Sequence, residues 1–224
     1  MIYSNRPINA QLPILAMKHS YEYQIITRVE SFKFLGVYFD PQMTFKYHAS
    51  HLTSKLSQIT AMIDKVRKFL PKHILKILYF AHVQSLISYC INIWGGTSQT
   101  HLQSLVLILK RIIRSINNAG YLDHTKPLYK ANKILNLTDL YKYNSVLNYF
   151  KSHILHQNQN RLRHNHLTRN RNMQPPDRHR RTIFERSFIY SGPKFYNLLP
   201  PRMKTILTLN KFKRELKAYY LSLY

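Results

Sequence analysis

The sequence predicts a mainly α-helical chain: a short N-terminal β-hairpin, a helical bundle, a basic linker and a small C-terminal helical segment. Three observations carry this. Aromatic and β-branched residues crowd the second half of the first forty positions, apolar residues recur at threes and fours from Pro41 onward, and between 157 and 181 they almost vanish. The boundaries fall at 1–40, 41–156, 157–186 and 187–224.

Residues 21–27 and 32–39 have strand composition, and 28–31 suits a turn joining them into a hairpin. Phe32 and Phe34 share one face, whereas Val37 and Phe39 share a face of opposite parity, so Gly36 reads as a bulge or a close backbone approach. From Pro41 the period changes. His48, Leu52, Leu56, Ile59, Ile63, Val66 and Leu70 trace one amphipathic helix of about six turns. Pro71 ends it and can open the next. Leu75, Leu78, Tyr79 and His82 begin a second helix that runs to Trp94, where Gly95-Gly96 breaks it. In a third, Leu102, Leu105, Leu109, Ile112 or Ile113, and Ile116 point inward, with Lys110, Arg111 and Arg114 on or near the other face.

Residues 124–127 start a further helix. Thr138 is the expected N-cap of another, with Asp139 favourable in its first turn and Leu140, Tyr143, Leu147 and Phe150 along it. Residues 157–181, rich in Asn, His and Arg around Pro175-Pro176, read as a mobile basic linker. Short aromatic segments (Phe188, Tyr190, Phe195, Tyr196) lead to Pro200-Pro201 and a last helix carrying Phe212, Leu216, Tyr219 or Tyr220, and Leu223.

Charge bounds the function. Thirty-four Lys and Arg stand against nine Asp and Glu, a formal net charge of +25 in 224 residues. An AT-rich coding sequence would inflate Asn, Ile, Tyr and Lys, but it explains neither the abundant Arg nor the scarce acids. Such a surface calls for a polyanion, most commonly nucleic acid. The nine acids are scattered with no adjacent pair, whereas two-metal phosphodiester chemistry needs several carboxylates at one spot. Candidate phosphate contacts are Lys55, Lys65, Arg67, Lys68, Lys72 and Lys76 on or between the first two helices, and Lys110, Arg111 and Arg114 on the third. Arg161, Arg163, Arg169, Arg171, Arg178, Arg180 and Arg181 fill the linker, and Lys204, Lys211, Lys213, Arg214 and Lys217 dress the end. Such a set tracks a phosphate backbone without reading sequence.

Other motifs are weaker. Cys90, the single cysteine, excludes an intrachain disulfide and paired-cysteine zinc sites, and reads as a buried thiol. Trp94 reads as a core or hinge residue. Asp177 and Glu185 have nuclease-like spacing, but they stand in the linker with Arg186 where a lysine is expected. His153, His156, His164, His166 and His179 read as solvated residues of the same basic loop. No phosphate-cradling glycine loop is present, and nothing indicates a cofactor or small-molecule substrate. The apolar stretch at 83–94 is interrupted and too short to span a bilayer, and a signal peptide is not evident. The expectation is an intracellular protein, nuclear or cytoplasmic, without a membrane partner.

The ordered string of segments is more specific than any one of them. Phe34-Leu35-Gly36-Val37 followed by Asp40, the His48 helix, and then Ser88-Tyr89-Cys90-Ile91-Asn92-Ile93-Trp94-Gly95 resembles the region just past the catalytic core of non-LTR retrotransposon reverse transcriptases of the jockey/LINE type. His124-Thr125-Lys126-Pro127-Leu128, Ile134-Leu135-Asn136-Leu137, Asp139-Leu140-Tyr141 and Thr168-Arg169 follow in the family's order. So do Ser187-Phe188, the run from Gly192-Pro193 to Leu199-Pro200, and Phe212-Lys213. The resemblance covers nearly the whole chain.

What it implies is a position inside a larger polymerase. Phe34, Leu35 and Gly36 would lie in the primer-grip hairpin at the end of the palm. Residues 44–117 would form the thumb along the template–product duplex, and the rest a C-terminal extension. The family's metal-binding aspartates precede this region and nothing here matches them, so Mg2+ would belong only to an intact parent polymerase. Phe45 and Phe195-Tyr196 stand where relatives often have tryptophan, and Met1 reads like an internal methionine opening a truncated frame. The expectation is a C-terminal fragment of an RNA-directed DNA polymerase. It would keep sequence-nonspecific binding to an RNA–DNA or DNA duplex and have no polymerase activity alone. The alternatives are a stand-alone basic α-helical nucleic-acid-binding protein and a nuclease using Asp177 and Glu185. A hairpin edge left without its sheet predicts marginal stability or aggregation.

Overall fold

Two separate hairpins precede the helices. A computed structural model describes residues 16–19, 22–25, 29–155, 182–185 and 187–224. β1 (Ala16–His19) pairs antiparallel with β2 (Glu22–Ile25), Ala16 facing Ile25. β3 (Phe32–Phe34) pairs with β4 (Val37–Phe39), Phe32 facing Phe39 and Phe34 facing Val37. The expected pairing of 21–27 with 32–39 is therefore corrected: the second segment folds back on itself. Leu35 and Gly36 both have positive φ, 46° and 81°, the pattern of a two-residue type I′ turn whose twist matches that of the strands. Gly36 thus sits in a turn, not a bulge, and the parity change is the turn itself.

The chain next makes a loop that runs against backbone preference. Met43 and Phe45 both take positive φ, 53° and 56°, at roughly 1–3 kcal/mol each for non-glycine residues. Asp40, fully buried, holds them there. Its carboxylate accepts the Thr44 N–H at 2.9 Å, the Thr44 hydroxyl at 3.1 Å and the Phe45 N–H at 2.7 Å. Three hydrogen bonds converging on one buried side chain offset that strain, since each buried group left unpaired would cost about 1–3 kcal/mol.

α1 (Lys46–Val66) buries His48, Ala49, Leu52, Leu56, Thr60 and Ile63, with Ile59 and Val66 on the flanks of that stripe. Pro71 caps α2 (Lys72–Leu78), which runs into a π-helical turn (Tyr79–Gln84), α3 (Ser85–Ser88) and α4 (Ile91–Trp94). The expected unbroken second helix is corrected here. It breaks at Tyr89 and Cys90, ahead of the glycines, because Cys90 turns left-handed (φ 51°). The Tyr89 carbonyl freed by the break accepts the Trp94 indole N–H at 2.9 Å. Trp94 is fully buried, and Cys90 is only half-buried rather than interior. Gly95 has an ordinary φ of −68° and is needed for space. A Cβ there would stand 2.5 Å from the Ile91 carbonyl and 2.7 Å from the Tyr141 ring.

α5 (Gln99–Ile116) lies along α1. Ile112 and Ile113 are both buried, because α5 is packed by α1, α2 and α6 (Thr125–Asn132) on different sides. α7 (Leu137–Tyr149) is capped by Asn136, not by the expected Thr138. The Asn136 side chain accepts the Asp139 N–H at 2.9 Å and donates to the Asp139 carboxylate at 2.8 Å, a reciprocal cap that a threonine two positions later cannot form.

After a π-helical turn (Phe150–Leu155) come α8 (Thr182–Glu185), α9 (Phe188–Asn197), α10 (Pro201–Lys204) and α11 (Leu209–Ser222). The expected short aromatic segments are one helix, α9, packed on α7. Gly192 allows the approach, since a Cβ there would stand 2.9 Å from that of Tyr149. Ring pairs Tyr149–Tyr196 (5.3 Å) and Tyr141–Phe195 (5.9 Å) line the seam. Phe212 of α11 stacks on Phe150 at 4.0 Å and 8°. Tyr220 is buried and Tyr219 partly so, while Leu223 faces out. One core runs from Val37 to Tyr220. Among the described residues no helix is long and apolar enough to cross a membrane.

Candidate nucleic-acid interface

α1 and α5 run parallel. Ahead of their N-termini the Thr97 hydroxyl bonds to the Thr44 carbonyl, and near their C-termini Asp64 of α1 meets Arg111 and Ser115 of α5. The two C-terminal ends are therefore neighbours, and helix C-termini favour cations. Lys65, Arg67 and Lys68 come to this place from α1, and Lys110, Arg111 and Arg114 from α5. α2 starts from the same end with Lys72 and Lys76. The Asn132 side chain donates to that of Asn117 at 2.9 Å, which brings the end of α6 there too.

Asp64 organises part of this set. It accepts Arg111 Nη2 at 3.1 Å and the Ser115 hydroxyl at 2.6 Å, with Arg67 Nε at 3.7 Å. Arg114 Nε donates to the Asp123 main-chain carbonyl at 2.9 Å, while the Asp123 carboxylate accepts the Gly120 N–H at 2.7 Å. Each guanidinium has five N–H donors, so a single contact orients it and leaves others for a ligand. Lys65 and Lys68 are exposed.

Two exposed aromatic residues at the same end were not singled out in the sequence. Phe69, just past α1, is 84% exposed, and Tyr121, just past α5, is 82% exposed. Each stands next to a helix terminus and outside the apolar period, which is the signal that marks it. Flat rings beside basic groups are the platforms on which unpaired bases stack.

Lys55 is not part of this end. It lies about three turns back on α1, beside His51. The His51 ring is 4.9 Å from that of Tyr38, over which Lys33 sits. This is the hairpin side of the molecule. Phe34, Leu35 and Gly36 form the exposed tip of the second hairpin, with Leu35 72% exposed. The Tyr89 hydroxyl donates to the Leu35 carbonyl, and a Cβ on Gly36 would touch the Tyr89 ring at 3.4 Å.

His48 contributes no charge. Its ring is buried, neither nitrogen has a hydrogen-bond partner, and it meets Trp94 edge-on at 5.4 Å. Burial, helped by His51, pushes its pKa down to about 4.

At the C-terminal end, Lys204 donates to the Asn197 carbonyl at 2.8 Å and Arg214 lies 3.7 Å from Glu215. Lys211 is exposed, and Lys213 and Lys217 are half-buried. Glu185 ends α8. Asp177 lies outside the described residues, as do Arg161, Arg163, Arg169, Arg171, Arg178, Arg180, Arg181, His156, His164, His166 and His179. Among the described residues no three His, Cys, Asp or Glu side chains come together as a metal site. Set beside protein-family models, curated proteins and solved structures, the chain matches none of them.

Proposed function

We propose that this chain holds an RNA–DNA duplex by its phosphates, without reading sequence, as the palm-end, thumb and extension portion of a non-LTR-type reverse transcriptase. One observation carries the binding: parallel packing of α1 and α5 gathers Lys65, Arg67, Lys68, Lys110, Arg111 and Arg114 at one end of the bundle, with Asp64 the carboxylate among them. The exposed Leu35–Gly36 turn is the part that would face the primer strand, and the family resemblance of the ordered segments supplies that assignment. Polymerase chemistry would reside in residues this chain does not contain.

Fluorescence anisotropy with a labelled RNA–DNA hybrid across a salt series tests the proposal. Four to six neutralised phosphates give a log–log slope of about −4 to −5. A flat salt response, or strong preference for one sequence, would overturn it. The single core that joins Val37 to Tyr220 among the described residues favours a second reading, a stand-alone nucleic-acid-binding protein. A sharp cooperative thermal transition of the isolated chain would support that reading.

A further inference from the structure

We infer that Lys76, Lys133 and Lys217 form a phosphate-binding site where α2, α6 and α11 converge, making the C-terminal helix part of the duplex-holding surface. The inference rests on the reading of the chain as a duplex binder and extends it to a helix outside the α1–α5 pair.

Each lysine is set one or two helical turns from a tyrosine that lies in the core or packs against it. Lys76 precedes Tyr79, Lys133 follows Tyr129, and Lys217 precedes Tyr220 and Tyr224. Tyr79, Tyr129 and Tyr224 come together. The rings of Tyr129 and Tyr224 are 6.2 Å apart, and Tyr79 is influenced by both. The Asn136 N–H donates to the Tyr224 hydroxyl at 2.8 Å, tying the last residue of the chain to the α6–α7 connection. The α6 and α11 surfaces carrying Lys133 and Lys217 are thereby held together.

Lys217 is the neighbour that Lys76 and Lys133 share. Lys217 is half-buried, and its pKa is lowered first by that burial and then by Lys76 and Lys133. Among the described residues none of the three lies within ion-pair distance of a carboxylate. Asp139, the acid near Tyr220 and Tyr224, is committed to Asn136 and Lys142. A half-buried ammonium group acted on by two others, with no carboxylate at ion-pair distance, is destabilised until an anion sits beside it. A phosphate supplies that charge with several acceptor oxygens. The position fits the same surface: Lys133 follows Asn132, which is bonded to Asn117 at the end of α5, and Arg114 acts on Tyr129.

The test compares the salt dependence of RNA–DNA hybrid binding by the wild-type chain, the triple variant K76Q/K133Q/K217Q and the conservative variant K217R. Loss of one to two phosphate contacts reduces the log–log slope by about 1–2 and weakens binding roughly tenfold or more at low salt, while K217R keeps the wild-type slope. Relief of like-charge repulsion leaves the melting temperature of the triple variant at or above wild type. An unchanged slope in the triple variant overturns the inference and leaves the α1–α5 interface standing. Should the wild-type chain not bind the hybrid at all, the proposed function fails, and inorganic tripolyphosphate becomes the probe. Displacement of the Lys217 signal in carbon-13 methyl-lysine spectra, absent in the triple variant, then assigns the site to a free polyphosphate; no displacement overturns it.

Discussion

The Tyr89 hydroxyl donates to the Leu35 carbonyl at 2.7 Å, a hydrogen bond spanning 54 positions of sequence. It fastens the tip of the second hairpin to the break between α3 and α4, and the same residue accepts the Trp94 indole through its own carbonyl. Tyr89→Phe removes one half-exposed neutral hydrogen bond, worth about 1 kcal/mol. Amide exchange at Val37 and Phe39 should accelerate by roughly fivefold, while protection in α5 stays as it was. Equal acceleration throughout the chain would show that the bond holds the core and not the tip.

Asp40 is the buried carboxylate that closes the loop into α1. Asp40→Ala strands two backbone N–H groups beside left-handed residues and should cost about 3 kcal/mol. Asp40→Asn, whose amide oxygen still accepts, should cost less. Urea midpoints at neutral pH measure both, and equal losses would contradict the capping role.

His48 sets a pH dependence. Its folded pKa of about 4 lies below the ordinary 6.5, so between those values the unfolded chain binds a proton that the folded chain does not. Stability is therefore complete above 6.5 and declines as pH falls toward 4, by at most about 1.4 kcal/mol per pH unit. His48→Phe should flatten this slope. Trp94, the single tryptophan, touches the ring and reports the unfolding directly by fluorescence. Parallel pH profiles for wild type and variant would rule His48 out as the cause.

Asp64 restrains two of the arginines at the basic end. Asp64→Asn keeps an acceptor for Ser115 and removes one negative charge from a surface meant for phosphates. Hybrid affinity should rise about three- to tenfold at low salt, with a steeper salt slope. A fall in affinity with an unchanged melting temperature would mean that Asp64 positions the arginines more than it opposes the ligand.

Phe69 and Tyr121 offer stacking faces at that end. Replacing both by Ala should weaken binding to a hybrid with a single-stranded overhang by roughly thirtyfold or more, at about 1–3 kcal/mol per stacked base, and leave a blunt hybrid nearly unaffected. Equal effects on both ligands would remove stacking as the reason.

The long helices were legible because their signal is local. In α5 the spacing of Leu102, Leu105, Leu109 and Ile116 repeats at the helical period, and every one of them is buried. The misread places depend on partners distant in sequence. Leu35 adopts positive φ without being glycine, so the turn at 35–36 is invisible to a rule that looks for Asn-Gly or Gly-Gly. Cys90 breaks a helix in the middle of an apolar run, and the Trp94 indole satisfies the carbonyl that the break exposes. Asn136 out-competes Thr138 as a cap because only the asparagine reciprocates with Asp139. Gly95 ends α4 as expected, but the space it leaves for the Tyr141 ring of α7, like that which Gly192 leaves for Tyr149, depends on a distant partner.

By itself the sequence determined the helical period, the surplus of positive charge and the cationic residues on each helix, since these depend only on composition and on neighbours three or four positions apart. Tertiary structure alone decided that α1 and α5 run in the same direction. That outcome depends on the broken segment between 72 and 94, which returns the chain to its starting side, and on contacts as remote as Thr97 with Thr44. Antiparallel packing would have spread the same lysines and arginines over two ends; parallel packing adds them at one.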